Sequence, residues 1–123
     1  MTHNAYSTYQ KQAITTMTRG EMLLALYDGA LKDLSLAQEA FRQNDIFAVN
    51  ENLQKTQRIL HYLQTTLDDK YEIAANLSAL YAFFAEQVMQ ANVKKEPALL
   101  DEVIKDLSAL REAFAKADKS APV

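Results

Sequence analysis

The sequence predicts an all-α protein, an antiparallel up-down-up-down four-helix bundle preceded by an N-terminal arm. Three features of the chain point there. Apolar residues recur at three- and four-residue steps through four successive segments. Turn-forming residues are scarce: Gly20, Gly29, Pro97 and Pro122 are the only glycines and prolines in 123 residues, where a hairpin-rich β fold needs many. The breaks between the stripes, near 43–46, 67–70 and 92–97, are short, and short links make consecutive helices antiparallel neighbours.

Residues 1–17 form a polar lead-in without an acidic residue, carrying Tyr6, Tyr9 and Ile14. They read as a flexible arm with room for a short helix. Thr18 and Glu21 then have the spacing of a capping box, in which a hydroxyl and a carboxylate satisfy two otherwise orphaned amides. The first helix follows over about 19–43, on the stripe Leu23, Tyr27, Ala30, Leu34, Ala37 and Phe41, widened by Leu24, Leu26 and Leu31. Gly29 inside it costs about 1 kcal/mol relative to Ala, and close approach of a neighbouring backbone would be the structural reason.

Asn44 or Asp45 caps the second helix, about 46–67, with Ile46, Val49, Leu53, Gln57, Leu60 and Leu63 or Gln64 in period and Ile59 and Leu67 beside them. Asp69 and Glu72 repeat the capping-box spacing and open a third helix over about 70–92. Its stripe is Ile73, Leu77, Leu80, Tyr81, Phe84, Val88 and Ala91, and Asn92 is its expected terminator because Asn tolerates a left-handed backbone. Pro97 suits the first turn of a fourth helix, about 97–117, lined by Leu100, Val103, Ile104, Leu107, Leu110 and Phe114. The bundle proper is thus a single domain over 18–117, followed by a tail at 118–123.

Composition narrows the chemistry. The chain has no cysteine, so thiolate catalysis, thiolate metal sites and disulfides are excluded. A formal charge of −3 provides no basic excess for nucleic acid. The polar start lacks the apolar core of a signal peptide, and no run approaches the roughly 18 apolar residues of a membrane span. The reading is a cytoplasmic protein that neither inserts into membranes nor binds nucleic acid.

The two histidines, His3 and His61, have no partner histidine at helical spacing, and no Glu-x-x-His pair exists for a di-iron site. The adjacent Asp68 and Asp69 sit at a helix junction, where solvated acids are ordinary. Phosphate-binding and zinc-protease motifs are absent. These residues point to no enzyme, no metal and no cofactor.

What stands out is apolar and aromatic surplus. Met22, Leu23, Leu24, Leu26 and Tyr27 follow one another closely, as do Leu80, Tyr81, Phe83 and Phe84. A compact bundle cannot bury the whole circumference of each helix, so part of this surface is expected to meet a partner helix or, alternatively, to form the seam of a structural or regulatory homodimer.

Four ordered stretches add a likeness. They are Ile14 through Met17, Thr18, Glu21, Leu26, Tyr27, Asp28, Gly29 to Ala30; Gln57, Arg58, Ile59 and Leu60 leading to Leu67 and Asp68; Glu72, Ile73, Ala74, Asn76, Leu77, Leu80 to Tyr81; and Leu99 to Val103 with Leu107, Leu110, Arg111 and Phe114. Together they resemble the FliS family of flagellar secretion chaperones over nearly the whole chain. Departures are local. Thr18-Arg19-Gly20 stands where that family often has Ser-Pro-Glu, Lys70-Tyr71 replaces a frequent Gly-Gly turn, and Phe114 replaces a frequent Trp.

The resemblance implies a cytoplasmic export chaperone that binds the C-terminal segment of flagellin. It would prevent premature polymerisation and assist type III flagellar secretion, with export-gate components or another flagellar regulator as further partners. It also makes Tyr6 and Tyr9 residues that cover an empty groove or join the client contact. Ile14, Leu24, Tyr27, Leu31, Leu77, Tyr81 and Phe84 are the expected groove walls.

Overall fold

The structure is a computed structural model that describes residues 17–120. The arm through residue 16 and the last three residues lie outside the described residues, and with them Tyr6, Tyr9 and Ile14. The described chain is all-α. Helices α1 (Arg19–Arg42), α2 (Ile46–Thr65) and α3 (Ile73–Lys94) lead through a 3-10 turn (Pro97–Leu100) into α4 (Asp101–Ser120). Among the described residues there is no strand, and no helix is long and apolar enough to cross a membrane.

The first junction holds the predicted chemistry. The Glu21 amide donates to Thr18 Oγ1 at 3.0 Å, and the Thr18 amide donates to Glu21 Oε1 at 3.0 Å, so both halves of the box are made. That backbone bond from Thr18 holds the Glu21 carboxyl below the usual carboxylate range. At the far end of α1, Asn44 takes a left-handed backbone with φ 56°, and the Asp45 amide closes onto the Ala40 carbonyl at 2.9 Å. Asp45, rather than Asn44, then caps α2 by accepting from the Ala48 amide at 3.1 Å.

The start of α3 departs from expectation. No capping box forms between Asp69 and Glu72: the helix begins at Ile73, Glu72 is already helical at φ −55° and ψ −39°, and no side chain caps it. The reason is that Asp68 organises the preceding turn. Its carboxylate accepts from the Lys70 amide at 3.1 Å and its carbonyl from the Tyr71 amide at 3.2 Å. The box spacing is therefore present while the extended backbone it requires at Asp69 is spent on a turn.

The end of α3 is also later than Asn92. Lys95 takes the left-handed cap with φ 53°, and the Glu96 amide bonds the Ala91 carbonyl at 3.0 Å. The Asn92 side chain instead reaches sideways, donating to Asn50 Oδ1 at 2.9 Å. Pro97 occupies the first turn of the 3-10 segment, where its missing amide costs nothing, and α4 continues past 117 to Ser120.

The core is one cluster fed by every helix. It includes Tyr27, Ala30 and Leu34 from α1, Val49, Leu53 and Leu60 from α2, Tyr81, Phe84 and Val88 from α3, Leu100 from the 3-10 turn, and Val103 and Leu107 from α4. Thr56 is fully buried, and its hydroxyl donates to the Asn52 carbonyl at 3.0 Å. Gln57 lies half-buried and donates to the Ala85 carbonyl at 2.9 Å, while Gln64 donates to the Ser78 carbonyl at 3.3 Å, pinning α2 to α3.

Gly29 is not explained by an approaching backbone. The nearest atom to an added Cβ would be the tip of the Ile59 side chain at 3.4 Å, an ordinary contact.

Candidate functional site

Helix α1 packs on α2 and α4, and α2 packs on α3, whereas α3 meets the fourth segment mainly through the 3-10 turn at one end. The bundle therefore splays at the other end, where α1 begins, α2 finishes, α3 begins and α4 finishes. A cleft of about 410 Å³ opens there. Met22, Leu23 and Leu26 line it from α1, Tyr62, Leu63, Thr66 and Leu67 from α2 and its exit, and Ile73, Ala74, Leu77 and Tyr81 from α3. Tyr71 and Asp68 come from the connecting turn, Phe114 from α4, and Arg19 from the first turn of α1.

The local structure explains why apolar side chains stand open here. Tyr71 and Ile73 flank the uncapped start of α3 and are 60% and 53% exposed. Tyr62, on the opposite wall, is 46% exposed. A water-facing wall of two tyrosines and an isoleucine favours an apolar occupant, because burying it removes apolar area from water. Among the described lining residues, charge is confined to Arg19 and Asp68, so the cleft can grip an amphipathic helix by its apolar face and meet polar groups at the edge.

Beneath the cleft, two tyrosines cross the bundle. The hydroxyls of Tyr27 and Tyr81 are hydrogen-bonded to each other, and the Tyr27 ring stacks on Phe114 with centroids 5.8 Å apart. Burial pushes both phenols above their ordinary value. Both hydroxyls accordingly stay neutral through the physiological range.

The expected groove walls divide. Leu77 and Tyr81 do line the cleft, as its nearly buried floor. Tyr27 and Phe84 do not form an open wall: both are fully buried, because their positions on α1 and α3 point to the bundle centre. Leu24 and Leu31 are half-buried on α1 and away from the cleft lining. Tyr6, Tyr9 and Ile14 fall outside the described residues. Thr18 and Glu21 end beside the cleft through their neighbour Arg19, and their role is to start α1.

Tyr62, Tyr71, Ile73, Leu67 and Phe114 were not among the expected walls. The signal available for them was apolar character carried right up to a helix end, at Leu67, Tyr71 and Ile73 around the 66–72 connection. His61 is exposed on α2. Among the described residues no group of three or more His, Cys, Asp or Glu side chains is placed to hold a metal ion.

The family model described as "Flagellar protein FliS" matches residues 2–121. The flagellar secretion chaperone FliS of Bacillus subtilis is 37% identical over 117 residues, covering 95% of this chain and 88% of that one. The protein of the same name from Vibrio cholerae is 35% identical, covering 76% of this chain and 68% of its own. That from Salmonella typhimurium is 32% identical, covering 85% and 79%.

Proposed function

This chain belongs to the FliS family of flagellar secretion chaperones, and on that premise we propose that its splayed-end cleft holds the C-terminal segment of flagellin. It is a cytoplasmic chaperone of flagellar export and not an enzyme. The observation that carries the assignment to the cleft is its open apolar wall, Tyr62, Tyr71 and Ile73, set over the floor made by Leu77 and Tyr81.

A client segment that is disordered alone would fold on entry, laying the apolar face of an amphipathic helix against this wall. Such ordering consumes on the order of 2–5 kcal/mol of the contact energy, which keeps the complex releasable. While held, the segment is withheld from polymerisation, and the chaperone–client pair is what the export machinery would receive.

The test is a calorimetric titration with a peptide of the flagellin C-terminal region from the same organism. Saturable one-to-one binding is expected for the unaltered chain, and at least tenfold weaker binding for I73D. The substitution suits the purpose because an acid in the first turn of α3 favours the helix dipole, so the variant stays folded. Absence of binding well above micromolar concentration would remove the reading.

A further inference from the structure

Arg19 is a cation at the unfavourable end of its helix. It is the first residue of α1, where the helix dipole favours an acid and opposes a positive charge. Nothing in the fold offsets this: among the described residues Arg19 makes no hydrogen bond or ion pair. The acids around it are engaged elsewhere or stand apart. Glu21 accepts from the Thr18 amide at 3.0 Å. Asp118, on α4, packs against Gly20 without pairing with Arg19. Asp68, the other charged residue of the cleft lining, accepts from the Lys70 amide at 3.1 Å and lies 3.9 Å from the Lys70 ammonium. Among the described lining residues the unspent charge is therefore positive. A side chain that works against its own helix and has no partner in its own chain points to a contact made with another molecule.

We propose that Arg19 is the charged contact of the cleft rim and pairs with a carboxylate side chain bordering the apolar face of the bound client. The inference rests on the client reading above and deepens it. Apolar burial is non-directional, so wall and floor alone would accept an amphipathic helix lying either way round. A cation on the α1 side of the mouth favours the orientation that brings a client acid to it. It also disfavours a helix that presents Lys or Arg at the same place.

The experiment titrates the flagellin C-terminal peptide of the same organism into the unaltered full chain, R19Q and R19E, by calorimetry at low and high salt. R19Q should bind about threefold more weakly at low salt, within the range of an exposed ion pair, and R19E more weakly still. The difference between the unaltered chain and R19Q should vanish at about 1 M salt. A second peptide, with its acidic side chains replaced by Asn and Gln, should bind the unaltered chain and R19Q alike. In urea unfolding of the free proteins neither variant should lose stability, because a positive charge has been removed from the first turn of α1.

Equal affinity of the original peptide for the unaltered chain, R19Q and R19E at low salt overturns the contact and leaves the client reading standing. So does an equal loss on R19Q for both peptides. A loss of stability in R19Q would show that Arg19 serves the fold, and would overturn the contact as well. Failure of the unaltered chain to bind overturns both readings.

Discussion

Single side chains here do work that can be separated by sign. Gly29 lies in mid-helix with only the Ile59 side-chain tip nearby, so G29A should raise stability by about 1 kcal/mol in urea unfolding. A backbone neighbour would have made the same change damaging. Thr18 and Glu21 give a second residue-level outcome. T18A should cost about 1 kcal/mol.

The pH dependence of that box follows from Glu21, whose carboxyl is lowered from 4.5 by the Thr18 amide. A depressed carboxyl contributes stability that is complete above its unfolded value and disappears as pH falls through the folded one. Stability of the original chain should therefore decline below about pH 4.5 more steeply than that of E21Q, in thermal melts across pH 2–6. The Arg111 guanidinium, by contrast, makes a two-pronged pair with Asp28 at 2.9 and 3.2 Å on a partly open surface. Its removal should change stability little, because solvent screens an exposed pair.

At the scale of elements, the four stripes were legible because burial of one helical face imposes a period that the sequence must carry. Tyr27, Leu34, Leu53, Leu60 and Val88 sit in period and are all buried. Helix ends were legible where one side chain had one use, as at Thr18, whereas at the next junction the sequence left Asn44 and Asp45 both open as the cap. They were not where the same residue types had competing uses. Asp69 and Glu72 carry the box spacing, yet Asp68 closes a turn first and α3 starts without a cap.

That lack has a dynamic consequence. The 66–72 connection and the first turn of α3 hold few buried side chains, whereas Tyr81 to Ala91 contribute several to the core. Amide exchange should therefore be fast from Thr66 to Ala74 and slow from Tyr81 to Ala91, with the fast segment protected when client peptide is added. Equal protection along α3 would show that the cleft wall is as rigid as the core.

For the whole molecule, the question is which surplus apolar surface is open. The sequence carries the surplus plainly, in Met22 to Tyr27 and Leu80 to Phe84. It does not carry the rotation of each helix or the angle between α3 and α4, and those decide the outcome. Tyr27 and Phe84 turn inward and vanish into the core, while Tyr62, Tyr71 and Ile73 stand open because the bundle splays where α3 begins. Exposed Phe47 and Val93, at 73% and 74%, lie at the other end, near the Asn50–Asn92 bond. These exposed side chains lie apart from the cleft, and the client reading assigns the flagellin segment to the cleft alone.

The most direct measurement is therefore a map. Backbone amide NMR shifts of the labelled chain would be followed while unlabelled flagellin C-terminal peptide is added. The account predicts the largest changes at Met22 to Leu26, Tyr62 to Leu77 and around Phe114, with Phe47 and Val93 undisturbed. Changes centred on Phe47 and Val93, with the cleft residues silent, would contradict it.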